Sequence, residues 1–234
     1  MKTTIPNSST TKPSVIKSLV IKDIQLNIYP VLAYLLVGLL SLWLLTLEHI
    51  GIFYGGAVIM LSMIIIVGAH MVITTVTTER NEHNLAFIMS LPITFIQYTH
   101  AKIIANLVVF LSFWLIIVSG LMLVIFTQAE IPNGLAVYAL ILMLEMVAVF
   151  ILVLSVGIIS ESHAWTIVVI SITNISLSLF MFWLSSIEGI KNHMEATSPV
   201  WNSTALIIIA AEVGFMILCL GLTYYLQSRK RDFL

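Results

Sequence analysis

The chain has 234 residues, 60% of them hydrophobic and only 9% charged, and its mean hydropathy is +1.10, whereas about a quarter of a soluble domain is charged. Ten Lys+Arg against eleven Asp+Glu leave a net charge of −1, which argues neither for a nucleic-acid partner nor for an acidic ligand. Too few residues remain outside apolar runs for a full-sized soluble catalytic core, and the single Cys219 excludes an intrachain disulfide or a multi-cysteine metal cluster.

Residues 1–14 are rich in Ser, Thr, Asn and Pro and read as a flexible tail. In 15–29, Ile16, Leu19, Val20, Ile24 and Ile28 recur near helical spacing with Lys17, Lys22 and Asp23 between them. This pattern predicts an amphipathic helix on the cytoplasmic membrane face, the alternative being a solvated start to the first span. No uninterrupted apolar core precedes Pro30, so a cleavable signal peptide is not expected.

A helix needs roughly 20 apolar residues to cross the hydrocarbon, and barrel-like ten-residue alternation is absent. Six spans are predicted at 30–47, 52–76, 103–126, 135–159, 164–184 and 205–226, forming one all-α transmembrane domain over 30–226 with a cytoplasmic tail at 227–234. Of the charged residues only Glu145 and Glu212 fall inside these spans. Ile131-Pro132-Asn133-Gly134 is a turn signal between the third and fourth spans. The connection 185–204, with Glu188, Lys191, His193, Glu195 and Pro199, reads either as a short interfacial or re-entrant element or as a plain polar loop.

Basic residues near span ends are retained in the cytoplasm. Lys2, Lys12, Lys17, Lys22, Arg80, Lys102, Arg229, Lys230 and Arg231 fall on one side and only Lys191 on the other, which predicts that both termini are cytoplasmic. Trp43, Tyr54, Trp183 and Trp201 mark the outer interface, and Tyr29, Trp165, Tyr224 and Tyr225 the inner one.

The connection 77–101 is too polar for membrane core. Leu85, Ile88 and Met89 stand at i, i+3 and i+4 opposite Arg80, Asn81 and Asn84, and the run stops at Leu91-Pro92. A short amphipathic helix parallel to the membrane is expected. The stretch 79–93, ERNEHNLAFIMSLPI, with Lys102 opening the next span, resembles the second-to-third-span loop of type-2 ATP-binding-cassette (ABC) transporter permeases. Members commonly show an acidic residue, an amphipathic helix, a Leu-Pro pair and then a lysine, here Glu79, 85–90, Leu91-Pro92 and Lys102. The opening IKSLVIKDIQLNI also resembles the family's entry helix, whereas His83-Asn84 replaces the family's frequent Gly-Thr or Gly-Ser.

The resemblance implies a permease subunit, an exporter rather than an importer, with a separate cytoplasmic ATPase docking on 79–92. Its coupling residues would be Glu79, Arg80, Leu85, Ile88, Met89, Leu91, Pro92 and Lys102. It further implies a second permease half, identical or not, and ATP and Mg bound by the partner ATPase with no cofactor on this chain. No G-x-x-x-x-G-K-[ST] phosphate loop occurs, so the chain is not expected to be an enzyme. The expected location is a plasma (inner) membrane of bacterial or archaeal kind.

Glu145 and Glu212 are candidates to line a translocation path, attract a cationic substrate or carry protons; the plainer reading has each protonated and bonded to a neighbouring helix or partner subunit. A proton- or ion-coupled secondary transporter using these two is the alternative function, a membrane anchor or assembly subunit a third. His70 lacks a second His or Cys at i+3 or i+4, so packing explains it better than metal ligation. Ser171, Asn174 and Ser178 share one face of the fifth span, suiting helix packing or a substrate path. Ser160-Glu161-Ser162-His163 reads as a tight turn or a second ATPase contact, and Gly51–Gly55 as a weak dimer signal.

Overall fold

The computed structural model describes residues 12–78 and 94–229, and within them every regular element is helical. The elements are α1 (Lys12–Leu44), α2 (Ile50–Val72) running directly into a π-helical turn (Ile73–Thr77), α3 (Phe95–Thr127), α4 (Leu135–Ser160), α5 (His163–Ser186), the short α6 (Glu188–Lys191) and α7 (Ser203–Arg229). All but α6 are long and apolar enough to cross a membrane, so the chain is an integral membrane protein with six candidate spans. The start of α1 and the end of α7 lie at one end of the bundle, here called the termini end; the opposite one is the far end.

The expected spans are all present, and the last three end within a few residues of their predicted limits. Two are longer than expected. α1 passes through Pro30 without a break, so the interfacial helix expected at 15–29 is not a separate element. At 33 residues α1 is about 50 Å long, beyond a hydrocarbon core of about 30 Å. α3 begins at Phe95 because Thr94 and Gln97 form a capping box: the Thr94 hydroxyl accepts from the Gln97 N–H at 3.3 Å and the Thr94 N–H donates to Gln97 Oε1 at 2.9 Å. Lys102 therefore lies two turns inside α3 rather than at its head. Glu79, Arg80, Leu85, Ile88, Met89, Leu91 and Pro92, with the expected coupling helix, lie outside the described residues, as do 1–11 and 230–234.

The π-helical turn follows from its sequence. Val72-Ile73-Thr74-Thr75-Val76-Thr77-Thr78 is an unbroken β-branched run, stiff at χ1 and of low helix propensity. Thr75 and Thr77 donate their hydroxyls to the carbonyls of Met71 (2.6 Å) and Ile73 (2.8 Å), which competes with the regular ladder.

α4 is the centre of the bundle: 67% of its most apolar window is buried, against 33% or less in the other spans. α1 packs along α2 and α3, while α5 and α7 pack along α4. Phe110 of α3 and Phe150 of α4 stack at 3.8 Å, and Gly68 of α2 gives these rings room, since a Cβ there would stand 3.1 Å from Phe150. α7 buries a single stripe, Ala205, Ile208, Glu212, Met216, Cys219, Thr223 and Gln227, whose spacing of three and four residues puts Glu212 on the packed face. Trp43, Tyr54, Trp183 and Trp201 are exposed at the far end, and Trp165 and Tyr225 at the termini end, as interfacial aromatics should be, whereas Tyr29, expected at the inner interface, is exposed midway along α1.

The far end carries a built cap. The connection after α5 forms α6 and folds back over α4: the Gly134 N–H donates to the Ala196 carbonyl at 2.8 Å and Asn133 Nδ2 to the Thr197 carbonyl at 3.1 Å. Asn202 caps α7, accepting from the Ala205 N–H at 2.9 Å, and its amide nitrogen donates to the Gly189 carbonyl. Ile190 packs with Val137, Ile141, Leu184 and Ala205.

A Cβ on Gly134 would collide with the His193 carbonyl and the Ala196 backbone, neither of which can rotate away. Gly134→Ala should destabilise the protein by about 1–3 kcal/mol. Gly214→Ala, where nothing stands within 4 Å, should be neutral. Thermal unfolding followed by a dye that reacts with the buried Cys219 thiol checks both.

Candidate functional site

Two polar loci lie inside the bundle. The first is a seam at the termini end, and its centre is an ion pair: Lys102 Nζ donates to Asp23 Oδ2 at 2.8 Å, and each side chain is only 1% exposed. Asp23 stands about 32 Å along α1 from Leu44, about the thickness of a hydrocarbon core, so a layer that starts near the far end would end at the level of the pair. The Tyr98 ring adds a cation–π contact, with Nζ 5.4 Å from its centroid.

Hydrogen bonds spread from this pair across the bundle. Asn27 Nδ2 donates to the Asp23 carbonyl at 2.8 Å, and its Oδ1 accepts from the Thr74 hydroxyl at 2.8 Å, which ties α1 to the π-helical turn. Asn106 Nδ2 donates to Thr75 Oγ1 at 2.8 Å and to the Lys102 carbonyl at 2.9 Å, which ties the same turn to α3. Further round the bundle, His163 Nδ1 and Thr77 Oγ1 lie 3.2 Å apart, His100 Nδ1 and the Tyr224 hydroxyl 3.0 Å apart, and Gln227 Nε2 donates to the Ile158 carbonyl at 2.7 Å. All six spans contribute to the seam.

The second locus is Glu145 on α4 and Glu212 on α7. Both stand about 14–15 Å along their helices from the far end, hence at mid-membrane depth. Glu212 is 6% exposed and neither of its oxygens has a hydrogen-bond partner. Glu145 is half-buried, at matching depth on the helix along which α7 packs.

The remaining candidates are dispersed. His70 packs its ring edge-on against Tyr34 at 5.6 Å, away from both glutamates. Asn174 lines a small apolar cleft with Gly68, Phe110, Phe150 and Thr173 and donates to its own Ile170 carbonyl at 2.7 Å. Ser171 and Ser178 are exposed on the outer face of α5, and the Ser171 hydroxyl donates back to the Ile167 carbonyl at 3.0 Å. The three share a helix face but no site. The turn 160–163 is tight: Glu161 takes a left-handed conformation with φ 56° and Ser162 immediately opens α5. Gly55 meets nothing within 4 Å. Among the described residues no group of three or more His, Cys, Asp or Glu gathers at metal-binding distance.

Sequence reasoning missed Asp23, Asn27, Asn106 and Gln227. Asp23 was grouped with the solvated charges of 15–29, yet Leu19, Asp23 and Asn27 recur every four residues on the buried face. Lys102 and Asn106 carry the same signal on α3. No family model, curated protein or solved structure matches the chain.

Removing one member of a buried ion pair leaves an uncompensated charge and costs about 3–5 kcal/mol, while replacing both by apolar groups is often close to neutral. Asp23→Asn or Lys102→Met alone should lower the unfolding midpoint sharply, and the double variant should recover much of the loss. A double-mutant cycle of unfolding free energies measures this, and additive losses would count against a coupled pair.

Proposed function

We propose that the chain is the membrane-spanning half of an ABC transporter, an exporter driven by a separate cytoplasmic ATPase that docks on 79–92. The observation that carries this reading is the seam that joins the two helix ends flanking that segment. The π-helical turn that leads into residue 79 and the α3 turn that follows residue 94 are joined to each other and to α1 through Thr74, Thr75, Asn27, Asn106 and the Asp23–Lys102 pair. A push delivered between residues 79 and 93 would enter a connected polar frame rather than two independent helix ends.

Other features support the same reading. The resemblance of 79–93 and Lys102 to type-2 ABC permeases covers the segment where coupling would occur, and six candidate spans agree with one permease half. Nucleotide binding and hydrolysis would belong to the ATPase, so this chain would carry no cofactor and no catalytic residue. A second permease half, identical or not, would complete the transporter in a plasma membrane. Among the described residues Lys17, Lys22, Lys102 and Arg229 fall toward the termini end and Lys191 at the far end, which supports cytoplasmic termini.

Co-expression with an ATPase encoded beside the gene should yield a complex that hydrolyses ATP, and Glu79→Lys with Arg80→Glu should depress turnover at least tenfold while both chains remain in the membrane. Transport by the isolated chain with no ATPase present would overturn the reading. Reporter fusions at both termini should register cytoplasm, and a fusion after Lys191 the opposite side.

A further inference from the structure

We propose that Glu145 and Glu212 form a cation site at mid-membrane depth, protonated when empty, that exchanges one proton for the charged group of a lipophilic monovalent cation. The site is defined by two carboxyls at matching depth on the packed helices α4 and α7, one of them 94% buried with neither oxygen partnered. Such an acid cannot stay ionised and unpaired in hydrocarbon, where a lone charge costs several kcal/mol, and two ionised carboxylates would also repel each other. Net neutrality is the constraint on every state of the pair.

Among the described residues no cation meets that constraint. Among the described residues, the helices packed on α7 bring few other titratable groups to it. On α4, Tyr138 lies two turns toward the far end from Glu145, and on α7 itself Cys219 lies two turns toward the termini end from Glu212. α3 carries its titratable groups at the termini end, where Lys102 meets Asp23, Tyr98 lies beneath that lysine and His100 meets Tyr224. The Glu188 and Lys191 of α6 lie at the far end. His70 and His163, on helices packed against α4, are engaged with Tyr34 and Thr77. No described residue balances the glutamates, so protons or a ligand take that part.

The chemistry of the site selects the ligand. Two carboxyls supply at most four oxygens, short of the six to eight that a hard divalent cation takes. The neighbouring buried side chains on the stripe are Ile208 and Met216, which favour an apolar body beside the charge. Glu145, half-buried, is the reachable member and Glu212 the enclosed one. When the cation arrives, the O–H bond of Glu145 breaks, its electron pair stays on the carboxylate and the proton leaves to water. Glu212 keeps its proton, and the site remains neutral.

The test uses the full chain alone in lipid nanodiscs, so its outcome is separate from that of the ATPase reading. Tetraphenylphosphonium is titrated calorimetrically in two buffers of different ionisation heat, with empty nanodiscs subtracted. The expected result is saturable binding with one proton released per cation, weakening about tenfold per pH unit in acid. Glu145→Gln should abolish binding and Glu145→Asp should retain the proton release. Absence of saturable binding, binding without proton release, or equal binding by a folded Glu145→Gln protein would overturn the proposal. The buffer comparison on the unaltered chain decides the matter even if that variant fails to fold.

Discussion

A lysine and an aspartate, 79 residues apart in sequence and almost wholly removed from solvent, hold the termini end of this bundle together. Their mutual attraction does not make the protein more stable than apolar residues would, because both charges had to leave water. It makes the arrangement specific. Any movement that separates α1 from α3 by a few ångströms strands two charges at once, so the helices move together or the pair must find water. Asn27, Thr74, Thr75 and Asn106 extend that requirement to α2, each tie being a hydrogen bond that hydrocarbon would not replace.

The two ends of the bundle are built by different physics. At the termini end the spans are joined by side-chain polar contacts centred on a buried ion pair, which is costly to break. At the far end α4, α5, α6 and α7 are joined by backbone hydrogen bonds, a helix cap and an apolar cluster around Ile190, with Gly134 admitting backbone against backbone. Between them α4 supplies the packed centre and the half-exposed Glu145.

Much of this was legible in the amino-acid sequence because hydrocarbon imposes a coarse, strong rule: the apolar runs at 135–159, 164–184 and 205–226 became α4, α5 and α7 almost unchanged. The limits of α1 and α3 were not, since hydropathy registers where a span is apolar and not where a helix begins. Thr94-Phe95-Ile96-Gln97 was a capping signal hidden beside a Leu-Pro pair, and Pro30 looked like a boundary that α1 passes through. Glu145 and Glu212 stood out as charges in apolar runs. Asp23 and Lys102 did not, because each is locally consistent with an interface and only three-dimensional packing pairs them. The π-helical turn left a trace in its run of β-branched residues, but such runs also suit strands and ordinary spans.

That turn has a geometric consequence for whatever the chain does between residues 79 and 93. A π-helical turn holds one residue more than the α-helical turn it replaces, so its conversion to regular helix reorients every following residue by about 100° about the axis. Ile73–Thr77 thus sets the angular position of Thr78, at the end of a span locked into the core at Val67, Met71 and Val72. The threonine hydroxyls that engage Asn27, Asn106 and His163 hold the turn in that orientation.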